Sequence, residues 1–151
     1  QRGKAMRSTI EDTLRHVQFL NRHLNTFDLQ CMTVVVLLEL GISTKRDGFD
    51  YMKNGIILLC EDPALLITKG VYPEIGKCYD PPVSNMQVEQ SIRSAITDAW
   101  SQRNKRVWGY YFPDSTGSKP KKPTNAELMT RIARILELWQ GCQKEVSYEI
   151  K

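Results

Sequence analysis

Histidine is nearly absent: the 151 residues hold two, His16 and His23, on what the pattern reads as one helix. Their spacing is too long for a one-turn metal pair, and no Cys or acidic residue at ligand spacing accompanies them. Surface histidines are the reading they support. Nucleophilic catalysis needs a Cys or Ser beside a base, and histidines confined to the N-terminal helix leave no obvious dyad. Glycine-rich phosphate loops are missing as well. An enzyme is therefore not expected, and no catalytic residue, metal ligand or cofactor is assigned.

Long apolar runs are also missing. The longest, Val34 to Leu38 and Ile56 to Cys60, are five residues each, far short of the roughly 18 that span a bilayer. Four cysteines, at positions 31, 60, 78 and 142, form no C-x-x-C pair. No stretch reads as a secretory leader, so a reduced, cytoplasmic protein without a membrane segment is expected. Alternating apolar and polar residues, the mark of a half-buried strand, do not occur. What remains is an ordinary composition, 41% hydrophobic and 25% charged, and a length that buries roughly 70% of the unfolded surface without a staple. The expected class is all-α: a compact multi-helix domain.

Charge is modest, +4, but unevenly placed. Residues 1–66 carry eight basic and eight acidic residues. The excess lies downstream, and most densely in 101–123, where Arg103, Lys105, Arg106, Lys119, Lys121 and Lys122 face Asp114 alone. A polyanion is the natural partner for such a segment, and a solvated basic loop is the alternative. Trp108, Tyr110, Tyr111 and Phe112 sit within it and read as lids on the core, with aromatic stacking on DNA as the lesser alternative.

Helical patterns alternate with short breakers. Ser8 and Glu11 form a capping box ahead of a stripe of Ile10, Leu14, Val17, Leu20 and Leu24. A second helix runs from about Leu29 to Leu40, apolar on nearly every side, and stops at Gly41; it is expected to be the central, buried one. Phe49, Met52, Ile56, Leu59 and Cys60 suggest a third, weakened by Gly55 in its interior. Asp62-Pro63 looks like a cap and first position of a short helix through Ile67. Thr124 and Glu127 form another capping box, opening a final helix of Leu128, Ile132, Ile135, Leu136 and Trp139 that ends at Gly141. The expected layout is an N-terminal helical extension over 1–28, a helix-turn-helix domain over 29–141 and a tail over 142–151.

The function is written in the stretch from Pro73 to Ser101. A short helix with Ile75 and Tyr79 inward is followed by Asp80-Pro81-Pro82, which cannot continue a helix. Gly76 is the small residue that lets a second helix cross closely. Ser84 then caps a longer helix with Gln87 three residues on, and Val88, Ile92, Ala95, Ile96, Ala99 and Trp100 form its buried stripe. This is the pattern of a helix-turn-helix with a long recognition helix. Its opposite face holds Met86, Gln87, Gln90, Ser94, Thr97 and Ser101, flanked by Glu89 and Arg93. An ordinary solvated face carries Lys/Glu pairs four apart, whereas this one offers amides, hydroxyls and a guanidinium, which make directional bonds to base edges. Arg93 suits guanine, Gln87 or Gln90 adenine, Glu89 cytosine. A merely hydrated face, or one docked on another protein, is the competing reading.

Leu40-Gly41-Ile42, then Gly48 to Cys60, Thr68 to Lys77, Val88 to Trp100 and Lys122 to Glu127, taken in order over roughly residues 29 to 140, resemble the C-terminal DNA-binding domain of the stage 0 sporulation protein A family. The Tyr72-Pro73-Glu74-Ile75, Val88-Glu89, Ile92-Arg93 and Lys122-Pro123-Thr124-Asn125 pieces carry the likeness. It implies an all-helical effector domain of a bacterial response regulator that binds a short promoter box in double-stranded DNA. By position, Glu89 and Arg93 match residues facing bases, and Gln90 stands where the family has an arginine. The turn at Pro81-Pro82 is about two residues longer, and no counterpart of a phosphate-accepting receiver domain is present. The expected base contacts are Gln87, Glu89, Gln90, Arg93, Ser94 and Thr97. The expected phosphate contacts are Arg103, Lys105, Arg106, Lys119, Lys121 and Lys122. RNA polymerase subunits and a second copy on the DNA are the further partners implied. The alternative is a helical interaction module of the same fold that lost operator binding.

Overall fold

The computed structural model describes residues 11–15 and 28–149. Residues 11–15 are helical; the Ser8 cap, most of the stripe beyond it and both histidines lie outside the described residues. Six α-helices follow: α1 (Leu29–Glu39), α2 (Asp47–Glu61), α3 (Tyr72–Lys77), α4 (Asn85–Ser101), α5 (Lys105–Tyr111) and α6 (Asn125–Glu149). No strand occurs among the described residues, and the fold is all-α.

Asp28 starts α1 by accepting from the amides of Gln30 (3.0 Å) and Cys31 (3.2 Å). Gly41 ends it with a φ of +80°, the left-handed conformation that favours glycine. This helix is not the central one. Met32, Val36 and Leu37 enter the core, but Val34 and Val35 are half-buried and Leu38 is 51% exposed. The centre is α2, which packs against both α4 and α6 and buries Phe49, Tyr51, Met52, Ile56 and Leu59. Gly55, which reads as a weakness in sequence, is there for space. A Cβ at that position would stand 2.8 Å from Met129 Sδ and 3.1 Å from Ile75 Cδ1, so the glycine admits α6 and α3 at close range.

After α2 the chain differs from expectation. Asp62 Oδ1 accepts from the Ala64 amide at 3.1 Å, yet no helix forms at Pro63. Helical structure resumes at a widened turn, Ile67–Val71, in which the amides of Gly70 and Val71 share the Leu66 carbonyl at 2.8 and 2.9 Å. That turn runs directly into α3. The final helix also departs from expectation, passing Gly141 and continuing to Glu149. An exposed glycine inside a long helix costs only about 1 kcal/mol and need not stop it.

Trp108, fully buried, locks the C-terminal half to the rest. Its indole donates to the Leu40 carbonyl at 3.0 Å, and its ring meets Trp100 edge-on at 5.6 Å between centroids. Tyr111 and Phe112 are buried beside it, while Tyr110 is 74% exposed and is no lid. The Tyr111 hydroxyl donates to the Glu39 carboxylate, joining α5 to the end of α1. Burial pushes the Glu39 carboxyl above its usual range, with the hydrogen bond from Tyr111 opposing.

Candidate nucleic-acid interface

The centre of the candidate interface is α4, and its position follows from its sequence. Ser84 Oγ accepts from the Gln87 amide at 3.2 Å, capping the first turn. Val88, Ile92, Ala95, Ile96 and Ala99 are buried as one stripe, with Trp100 half-buried at its end. Two glycines set the approach. At Gly48 a Cβ would overlap the Ser91 carbonyl oxygen and stand 2.8 Å from Ala95 Cβ, so backbone of α2 rests directly on α4. At Gly76 a Cβ would overlap the Val83 carbonyl oxygen. The close neighbour there is the turn's own backbone, not a second helix, and the Val83 amide donates to the Gly76 carbonyl at 3.1 Å. The bond between Asp80 and Pro81 within that turn is cis.

On the opposite side Met86, Gln87, Gln90, Arg93, Ser94 and Thr97 are all exposed. Glu89 is half-buried on the flank and pairs with Arg93. Gln87 Nε2 donates to Ser91 Oγ at 3.1 Å, which turns that amide toward α2. Two grooves flank the helix. One is lined by Lys45, Arg46, Gln87, Gln90 and Ser94. The other is lined by Thr68, Tyr72, Glu89, Arg93, Lys122 and Asn125.

Asn125 organises the second groove. Its side-chain amide donates to the Glu89 carbonyl at 3.0 Å and to the Tyr72 hydroxyl at 3.2 Å. Burial raises the Tyr72 phenol above its ordinary value, with the Asn125 bond opposing. Beside it Pro123 is buried and Thr124 Oγ1 accepts from the Glu127 amide at 3.1 Å, the cap read from the sequence. The Lys-Pro-Thr-Asn string is thus the clasp that binds the start of α6 to the second turn of α4.

The basic residues divide. Lys122 Nζ donates to Thr97 Oγ1 at 2.9 Å, on the outer face itself. Lys121, one residue earlier, lines a different groove with Phe112, Glu127 and Leu138. Lys119 is exposed in the preceding loop. Lys105 and Arg106 are exposed in the first turn of α5, which Asn104 caps by accepting from the Arg106 amide at 3.0 Å. Arg103 is turned inward. Its guanidinium lies 3.7 Å from the Trp100 ring centroid and donates to the Trp100 carbonyl at 3.0 Å, packing the side chain against the end of α4.

Sequence reading missed Lys45 and Arg46. They precede α2 in an unremarkable stretch, and only the fold brings them beside α4, where Arg46 pairs with Asp98. No signal short of the Gly48 contact could have placed them. Among the described residues, no three His, Cys, Asp or Glu side chains are grouped to hold a metal, and no helix is long and apolar enough to cross a membrane.

Compared with known families, residues 33–136 match the family described as sporulation initiation factor Spo0A, C terminal.

Proposed function

The chain belongs to the Spo0A C-terminal family, a family of DNA-binding effector domains of a sporulation regulator rather than of enzymes, and from that premise we propose that it reads a short promoter box in double-stranded DNA. The observation that carries the proposal is the outer face of α4, built of amides and hydroxyls with a single acid–base pair, Glu89–Arg93, in place of the repeated Lys/Glu pairs of a solvated helix. Arg93 addresses guanine O6 and N7, Glu89 accepts from cytosine N4, and Gln90, with Gln87, suits adenine N7 and N6. Ser94 and Thr97 extend the same face.

Phosphates are held at its margins by Lys45, Lys105, Arg106, Lys119 and Lys121. Lys105 and Arg106 support this reading on energetic grounds. They occupy the first turn of α5 without an acidic residue beside them, where the helix dipole disfavours cations by up to about 1 kcal/mol. An arriving phosphate relieves that cost. The protein works in the cytoplasm, with RNA polymerase subunits and a second copy on the DNA as its further partners.

A second reading, a helical interaction module without operator binding, is favoured by one observation: Arg93, the one arginine on the outer face, is already paired with Glu89. Selection from random duplexes separates the two. An enriched box whose binding weakens steeply with salt supports the reader. No enrichment at low salt favours the module.

A further inference from the structure

Resting on that reading, we infer that Lys122 reads a base rather than a phosphate: its ammonium enters the major groove beside Thr97 and donates to guanine. Placement is the first ground. Thr97 stands on the exposed face of α4, four residues beyond Arg93, and Lys122 Nζ is bonded to its hydroxyl at 2.9 Å. The ammonium therefore reaches the exposed face of α4 from the flanking groove that Lys122 lines with Glu89 and Arg93.

The second ground is how the lysine is held. The residues that follow it are all fastened: Pro123 is buried, Thr124 caps α6, and Asn125 is tied to the Glu89 carbonyl at 3.0 Å. The stem of Lys122 thus starts from backbone clasped to α4, so its reach toward the groove is set in advance. Lys121, by contrast, lines the groove beside Phe112 and Leu138.

The third ground is the partner it has in the free protein. A hydroxyl, unlike a carboxylate, leaves the ammonium charge uncompensated, and an ammonium bonded once keeps two further donors. Guanine O6 and N7 are the adjacent pair of acceptors in the major groove that such a donor set fits. Thr97 is then a positioning residue, holding the ammonium over one base pair.

The test is fluorescence anisotropy on the selected box and its single-base variants, using wild type, Lys122→Gln, Thr97→Val and Lys121→Gln. All three substituted side chains are exposed, and circular dichroism verifies the fold. Lys122→Gln is expected to flatten the preference at one guanine by about fivefold or more. Replacing that guanine with 7-deazaguanine should weaken wild type but not the variant, and Thr97→Val should relax the same base pair. Lys121→Gln should weaken all duplexes alike. The inference is overturned if Lys122→Gln also weakens all duplexes alike, or changes nothing. Should wild type select no box at all, the parent reading falls with it; a box that is selected and bound without Lys122-dependent preference removes this inference alone.

Discussion

Asn125 donates its side-chain amide to the backbone carbonyl of Glu89 at 3.0 Å, so the first residue of α6 holds the second turn of α4. Asn125→Ala removes this bond and the one to Tyr72, and is expected to cost about 1–2 kcal/mol. Thermal unfolding checks it; an unmoved midpoint would show that the clasp contributes nothing.

Specificity at Gln90 follows from hydrogen-bond complementarity. Glutamine offers one donor and one acceptor, matching adenine, whereas arginine offers two donors, matching guanine. Gln90→Arg is expected to bring in guanine at the facing base pair by roughly tenfold, and Arg93→Ala to relax a different pair. The measurement is a binding matrix over single-base variants. If Gln90→Arg leaves each preference unaltered, that side chain does not face the groove.

Salt dependence distinguishes the basic residues. Lys105→Ala and Arg106→Ala should each flatten the log–log salt slope by about one unit. Arg103→Ala should leave the slope alone and lower stability, because its guanidinium is spent on Trp100. A slope change at Arg103 equal to the others would reverse this assignment.

From sequence, Trp100 closes the buried stripe of α4; in the structure it is half-buried, whereas Trp108 of α5 is 0% exposed and hydrogen-bonded to Leu40. Trp108→Ala is expected to cost about 3–5 kcal/mol, and Trp100→Ala less than about 3 kcal/mol. Chemical denaturation of both variants gives the order; equal losses would contradict it.

Glu39 supplies a pH dependence. Its carboxyl is raised above the ordinary 4.5 by burial, so the folded state binds the proton more tightly than the unfolded one. The stability it contributes is complete below the unfolded value and is lost as pH rises through the folded value. Glu39→Gln should flatten the fall of the thermal midpoint as pH rises across that window. Parallel profiles for variant and wild type would mean that Glu39 titrates alike in both states.

What was legible in the sequence was local. Ser84 with Gln87, Thr124 with Glu127, and the stripe from Val88 to Ala99 each depend on neighbours within one or two turns, and all three stand in the structure. Contacts that depend on distant parts of the chain were not legible. The bond from Lys122 to Thr97 and the placement of Arg46 on Asp98 join residues with no shared periodicity. The hub role of α2 was hidden for a related reason. Apolar content points to α1, whereas centrality depends on how many helices can approach, which Gly48 and Gly55 decide by what they lack.

Because Gly48 sets backbone against backbone at Ser91, the mount of α4 is independent of the side chains on its far side. Gln90, Arg93 and Ser94 can be exchanged one at a time without disturbing how the helix is seated. The outer face and its bearing can therefore evolve separately: a lineage can exchange the side chains presented while inheriting the same cradle.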